Sequence, residues 1–243
     1  MRLDLHLFSS SLVKSRTEAK GFITSGAVTV NGKTVTKPSY EVSGGDDVAV
    51  DTSGRRFVSR GGIKLEHALS YFSIDPSGRI CLDVGASSGG FTDCLLKAGA
   101  VRVIAVDSGS GQLVSEIRED GRVSVFENYN ARYMSPSHFD CIPSLAVMDV
   151  SFISATYIIP SVYGVLGDNG DYVLLIKPQF EVGRSGLKKG GLVKDDATAE
   201  LAVKRVIDFA VGVGFSFVGV TKSPITGGDG NTEYLAHFKK KPV

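Results

Sequence analysis

The sequence predicts an α/β protein in which a small α+β module precedes a larger domain built on a largely parallel sheet. Two observations carry this. From residue 62 onward, short continuously apolar runs alternate with amphipathic ones, as buried parallel strands alternate with crossover helices. Before residue 60 the pattern is instead a capped helix, a glycine stop, and Asn-Gly set between β-rich stretches. Length and composition agree, since 243 residues with 42% hydrophobic and 22% charged content suffice for a proper core. Cys81, Cys94 and Cys141 are widely spaced and form no CxxC. They predict neither a disulfide framework nor a metal site, and they fit a reducing compartment. No run approaches the ~20 apolar residues of a membrane span, and the start Met1-Arg2-Leu3-Asp4 lacks a signal peptide's apolar stretch. The expectation is a cytoplasmic protein with no membrane insertion.

Residues 1–50 read as the first unit. Ser15-Arg16-Thr17-Glu18 fits a capping box, and the helix after it should bury Ala19, Phe22 and Ile23 before stopping near Gly26. Asn31-Gly32 is the pair a type I′ hairpin turn prefers, and 47–50 supplies a further strand. The first sixty residues carry nine Lys/Arg against six Asp/Glu, leaving them at +3 within a net charge of +1 and the remainder at −2. That asymmetry points a polyanion toward the N-terminus. The run SRTEAKGFITSGAVTVNGKTVTKPSYEV resembles the alpha-L RNA-binding fold. The resemblance implies that Arg16, Lys20, Lys33 and Lys37 face RNA phosphates. Residues 51–60 are polar and without periodicity, and are expected to link this unit to a domain spanning 61–243.

In that domain Ile63, His67, Leu69 and Phe72 fall at helical spacing. Strands are expected at Ile80–Val84, Arg102–Val106, Val123–Phe126, Leu145–Met148, 172–176, 216–220 and 234–238, with helices at 90–98, 155–166 and 197–211 and a short one before residue 123. Leu82-Asp83-Val84-Gly85-Ala86-Ser87-Ser88-Gly89-Gly90 occupies the strand-to-helix turn where such sheets bind ligands. Ser87 stands where a dinucleotide fingerprint has its second glycine, and Asp83 precedes the first. An acid there repels a pyrophosphate but suits a cofactor bearing an ammonium and a sulfonium, which selects S-adenosylmethionine over NAD. The cofactor set is therefore Asp83, Gly85, Ala86, Ser87, Gly89, Gly90, Asp107 at the next strand end for ribose hydroxyls, and Asn130 for the adenine amino group.

Asp149 ends the Leu145–Met148 strand and Lys177 the 172–176 strand. An ammonium delivered by a buried strand is costly without a partner. With Lys64 and Glu233 they resemble the Lys-Asp-Lys-Glu tetrad of ribose 2′-O-methyltransferases. Through SRGGIKL, LDVGASSGGFTD, VMDVSFIS and IKPQFE the whole chain resembles the hemolysin A family of rRNA 2′-O-methyltransferases, an alpha-L module fused to an FtsJ-like domain. The resemblance implies a Rossmann-like S-adenosylmethionine-dependent methyltransferase sheet. It further implies methylation of cytidine riboses in small- or large-subunit rRNA, with rRNA or ribosomal subunits as partners and no obligate protein partner. Lys64, Asp149, Lys177 and Glu233 are the expected catalytic residues. Lys177 either takes the ribose proton or, as a cation, steers the hydroxyl and stabilises the alkoxide. The loop 183–191, Gly-rich and basic, is expected to lie over RNA. Two other classes compete: a membrane-active hemolysin, for which the chain offers no basic amphipathic helix with an aromatic face, and a non-catalytic RNA-binding assembly factor, which would not need the intact tetrad. Within the enzyme class, an amino-group methyltransferase would show a Pro-Pro-aromatic motif after the fourth strand, and Asp149-Val150-Ser151-Phe152 is not that.

Overall fold

The apolar pattern resolves into two separately packed units, Met1–Arg60 and Gly61–Val243, in a computed structural model that describes residues 1–13, 15–24, 26–51 and 56–242. In the first unit α1 (Leu3–Ser9) packs on α2 (Arg16–Thr24). Antiparallel β1 (Val28–Val30), β2 (Lys33–Thr34) and β3 (Val48–Val50) lie in the order β2-β1-β3. Leu3, Leu7, Ala19, Phe22, Ile23, Val28 and Val30 form its core. The Glu18 amide donates to Ser15 Oγ at 3.1 Å, closing the expected cap. Gly26 takes φ +80 at the helix stop. Asn31 and Gly32, at φ +52 and +74, make the two left-handed steps that a type I′ turn demands. Helix α1 was not anticipated, because Leu3-Asp4-Leu5-His6-Leu7 alternates like a strand; the buried positions Leu3, Asp4 and Leu7 instead follow a helical face.

The expected linker divides. Residues 52–55 lie outside the described residues, while Phe57 and Val58 are buried.

The second unit opens with α3 (Gly61–Tyr71) and continues with β4 (Ile80–Val84), α4 (Gly90–Lys97), β5 (Arg102–Val106), α5 (Ser115–Arg118) and β6 (Val123–Phe126). After β7 (Leu145–Met148) come α6 (Ile159–Val165), β8 (Asp171–Ile176), α7 (Asp196–Val213), β9 (Phe215–Lys222) and β10 (Tyr234–Lys240). The seven-stranded sheet runs β6-β5-β4-β7-β8-β10-β9, parallel except for β10, which is antiparallel to both neighbours. One set of alternating residues (Leu82, Ile104, Ala146, Leu174) packs with Ile159 and Val162 of α6 and Val203 of α7. The opposite set (Cys81, Val103, Val147, Val173) is equally buried, so both sheet faces are covered.

Two expectations need correcting. The helix expected at 155–166 is a 3-10 turn, Ala155–Tyr157, followed by α6, with Pro160 in the new helix's first turn where its missing N–H costs nothing. Helix α3 turns Gly62, Lys64, Leu65, Ala68 and Leu69 inward and leaves Ile63 exposed, because Lys64 has a buried partner. Among the described residues no helix is long and apolar enough to cross a membrane.

The amino end of β8 is tied down by charge. Asp171 meets Arg79 at 2.8 Å, His237 Nε2 at 2.8 Å and Lys239 at 2.9 Å. Burial alone would raise its carboxyl, but the hydrogen bonds from His237, Lys239 and Arg79 outweigh it and hold the group well below the ordinary carboxylate range. A depressed acid stabilises above its unfolded pKa of about 4 and loses that stabilisation as the pH falls further. Asp171→Asn should therefore cost about 2–3 kcal/mol near neutral pH in denaturant unfolding, with the deficit shrinking in acid.

Candidate active site

Most of what the sequence nominated for chemistry in this second unit comes from the carboxyl edge of the sheet, with Lys64 supplied by α3. Strand β4 ends at Val84, and Gly85 follows at φ +86. A Cβ on Gly85 would lie 2.3 Å from the carbonyl oxygen of Asp149. The adjacent end of β7 thus leaves room for nothing larger than glycine here. Ser87, at the position of the missing second glycine, itself takes a left-handed φ of +48. Its amide donates to Asp107 Oδ2 at 2.8 Å, and the Gly109 amide donates to Asp107 Oδ1 at 2.7 Å. Asp107 thereby links the turns after β4 and β5 and presents a fixed carboxylate. Ala86 is buried in the first turn. Gly89, at φ +96, caps α4 where a Cβ would strike Leu113 and Ile117, and Gly90 opens the helix. Asn130 is exposed and uses Oδ1 to accept the Arg132 amide at 3.1 Å, capping a 3-10 turn.

Asp83 is fully buried. Its Oδ2 accepts the Thr92 hydroxyl at 2.6 Å, while Oδ1 has no hydrogen-bond partner among the described residues. Burial, reinforced by the nearby Asp149 and Asp107 charges, pushes this carboxyl up to about 7. An orphaned acceptor of that kind fits a cationic N–H donor. Asp83 would hold the cofactor's ammonium end and Asp107 its ribose, with the left-handed turn at Gly85–Gly89 providing the close backbone surface.

Lys64 Nζ meets Glu233 Oε2 at 2.5 Å, with both side chains buried. Lys177 Nζ meets Asp149 Oδ1 at 2.5 Å and donates to Ser151 Oγ at 2.7 Å. The β8–β10 register, with Tyr234 opposite Ile176, carries on to bring Glu233 level with Lys177. The Asp149 amide donates to the Val84 carbonyl, setting the second ion pair beside the cofactor turn.

Sequence reasoning missed three residues here. Ser151 is the hydroxyl on Lys177. Phe152 holds φ +65 and is 91% exposed, with its ring 5.2 Å from that of Phe180. Glu181 bonds the Ser154 hydroxyl and the Ala155 amide. All three lie inside the VMDVSFIS and IKPQFE motifs, but their partners are distant in the chain.

In the first unit Arg16, Lys20, Lys33 and Lys37 are all exposed. Arg16 leans on the buried Asp4 at 3.2 Å, which Arg2 grips with both Nε and Nη2. Arg2 is therefore a further ordered cation on that unit.

The FtsJ-like methyltransferase pattern matches residues 57–240, and the S4 domain pattern residues 1–48. The chain belongs to the FtsJ-like methyltransferase family. Its cofactor is S-adenosylmethionine. Among its relatives, Hemolysin A of Brachyspira hyodysenteriae is 45% identical over 98% of this chain and 99% of its own length. The 16S/23S rRNA (cytidine-2′-O)-methyltransferase TlyA of Mycobacterium tuberculosis is 42% identical over 96% of this chain and 88% of its own. A solved hemolysin structure from Streptococcus thermophilus is similar over all of this chain and 89% of that one, with 42% identity and a TM-score of 0.80.

Cofactor affinity should follow the Asp83 carboxyl. A cationic ligand favours the ionised acid, so binding below about pH 7 should release a proton. Affinity should then weaken by up to about tenfold per pH unit on acidification. Asp83→Asn should bind S-adenosylmethionine weakly and flatten the profile. Calorimetric titration in buffers of different ionisation enthalpy measures both the affinity and the proton released.

Proposed function

We propose that this protein transfers a methyl group from S-adenosylmethionine to the 2′-hydroxyl of a cytidine ribose in ribosomal RNA. We further propose that the first unit holds the RNA, free or within a ribosomal subunit, and that the protein works in the cytoplasm. The observation that supports this best is the pair of ion pairs, Lys64–Glu233 and Lys177–Asp149, at the sheet edge that carries the cofactor turn. An amino group on a base needs no such set of charges, whereas a ribose hydroxyl is a poor nucleophile that must be oriented and relieved of its proton as its oxygen is alkylated. The similarity to an enzyme named for cytidine 2′-O-methylation, over nearly the full chain, supports the same reading.

Bound at the Asp83–Asp107 turn, S-adenosylmethionine supplies an activated methyl group. This chain's residues prepare the acceptor. Lys177 is paired with the Asp149 carboxylate and donates one N–H to the Ser151 hydroxyl, which holds its ammonium in place. An ammonium held there stabilises a developing ribose alkoxide more than the neutral hydroxyl. Lys64 and Glu233 form the second wall of the same site. Phe152 offers a flat apolar face beside it, suited to a base resting by its π-surface.

Lys177→Ala should abolish methyl transfer and leave cofactor affinity nearly unchanged, because its work is done on the hydroxyl. Lys177→Arg keeps the charge but not the point geometry. Appreciable residual turnover in that variant would establish steering over proton abstraction. Mapping 2′-O-methyl groups in rRNA from cells with and without the gene locates the product; a methyl group found on a base would refute the ribose assignment.

The first unit's role is separable. Neutral replacements at Arg16 and Lys20 should weaken RNA binding and reduce the salt slope by about one per lost phosphate contact, while S-adenosylmethionine binding stays unchanged. Filter binding across a salt series measures it. An unaltered slope would remove these side chains from the RNA surface.

A further inference from the structure

Between Asp149 and Thr156 the chain leaves β7 under a constraint that local sequence does not explain. Phe152 sits at φ +65 with its ring almost wholly exposed. A bulky L-residue keeps such a backbone only when its surroundings over-determine it, and an exposed ring contributes little burial to offset the strain. The surroundings here are two clamps. On the amino-terminal side, Lys177 holds the Asp149 carboxylate and the Ser151 hydroxyl. On the carboxyl-terminal side, Glu181 Oε2 accepts the Ser154 hydroxyl at 2.6 Å and Oε1 accepts the Ala155 amide at 2.8 Å. Phe152 lies in the short stretch between them.

Both clamps spring from one segment. Lys177 immediately precedes the 3-10 turn Pro178–Phe180, and Glu181 immediately follows it. The turn is closed by the Phe180 amide on the Lys177 carbonyl and the Glu181 amide on the Pro178 carbonyl, each at 2.9 Å. Its own Phe180 ring meets that of Phe152 at 5.2 Å. A single turn thus grips the neighbouring loop by an ammonium, a ring and a carboxylate in succession.

We propose that Glu181 is a positioning residue for methyl transfer. It fixes the 150–154 loop so that the Phe152 ring stays turned outward toward the RNA. The proposal rests on the ribose-methylation reading above. Glu181 touches neither ribose nor cofactor; it acts through the loop. A purely structural cap on the Ala155–Tyr157 turn would lower the melting temperature and leave the rate of the folded fraction unchanged. A positioning role lowers that rate itself, and does so only while Phe152 is present to be positioned.

The test is single-turnover methylation of rRNA by the full-length chain, with cofactor affinity and melting temperature measured in parallel. Glu181→Ala should slow the chemical step about 10–100-fold while cofactor affinity holds. Glu181→Gln should recover most of the rate, since the amide still accepts from Ala155 and can donate to the Ser154 oxygen. Ser154→Ala should lose an intermediate amount. Glu181→Ala combined with Phe152→Ala should be no slower than Phe152→Ala alone, which marks two residues acting through one device. A Glu181→Ala rate within about twofold of the unaltered protein overturns the proposal, and so do single effects that multiply in the double variant. Should Glu181→Ala fail to fold, an undiminished rate in Ser154→Ala overturns it equally. An unaltered protein that places no methyl on ribose refutes the ribose reading and the proposal with it; one that does, beside an unimpaired Glu181→Ala, refutes the clamp alone.

Discussion

The carbonyl oxygen of Asp149 lies 2.3 Å from where a side chain at residue 85 would begin. This close approach of two parallel strand ends brings the rest of the site together. It lets the cofactor turn after β4 and the Asp149 carboxylate after β7 share one edge without an intervening side chain. It sets Asp149 near enough to Asp83 to raise that acid further than burial alone does. Asp149 in turn fixes Lys177 from the next strand, and the antiparallel β10 returns Glu233 to the same level for Lys64 to meet. Any residue larger than glycine at position 85 would have to push β7 outward, and each later contact would move with it.

Such a concentration of charge at the end of a packed sheet is poor economy for stability. A buried ion pair recovers at best about what it lost in desolvation, and an apolar pair of similar volume does as well or better. At the opposite edge Asp171 is a carboxylate met by Arg79, Lys239 and the His237 ring, and it serves to anchor β8 and β10. At the carboxyl edge the pattern differs, with a buried acid whose second oxygen is unmatched, a lysine with an N–H to spare, and a bulky residue in a left-handed backbone. Unmet valences and stored strain gathered in one place indicate work done on something that arrives from outside.

What the sequence makes legible follows from how local the cause is. Short runs dominated by apolar residues at 80–84, 102–106 and 145–148, set between helical stretches, identify buried parallel strands. Asn31-Gly32 announces its turn because few other pairs enter two successive left-handed conformations. Lys177 stands out because a charge at the end of such a strand demands a partner. Helix α1 was hidden by leucines that alternate over five residues, a stretch too short to separate period two from period 3.6. Glu181 was hidden for a different reason. Its partners lie 26 and 27 positions earlier, and no periodicity within a single chain records a contact across a sheet edge. Nothing in the sequence around Phe152 announces that the fold leaves it exposed in a left-handed backbone.

Names alone do not separate the competing functions, since one relative is called a hemolysin and another an rRNA methyltransferase at nearly equal identity over nearly equal lengths. The distribution of charge does separate them. A protein that disrupts bilayers gains from apolar surface set against a basic face, and from segments able to lie in or cross the membrane. The ordered cations of the first unit lie over the buried Asp4, which two of them, Arg2 and Arg16, hold directly. A buried carboxylate beneath arginines fixes their geometry, and that is useful for meeting phosphates at defined spacing and of no use for attraction to a fluid anionic surface. In the second unit four ionisable side chains meet in two close pairs at the sheet's carboxyl edge, a costly arrangement with no bearing on membrane lysis. Both units make sense together only for a ligand that is polyanionic along its length and reactive at one hydroxyl, which describes RNA.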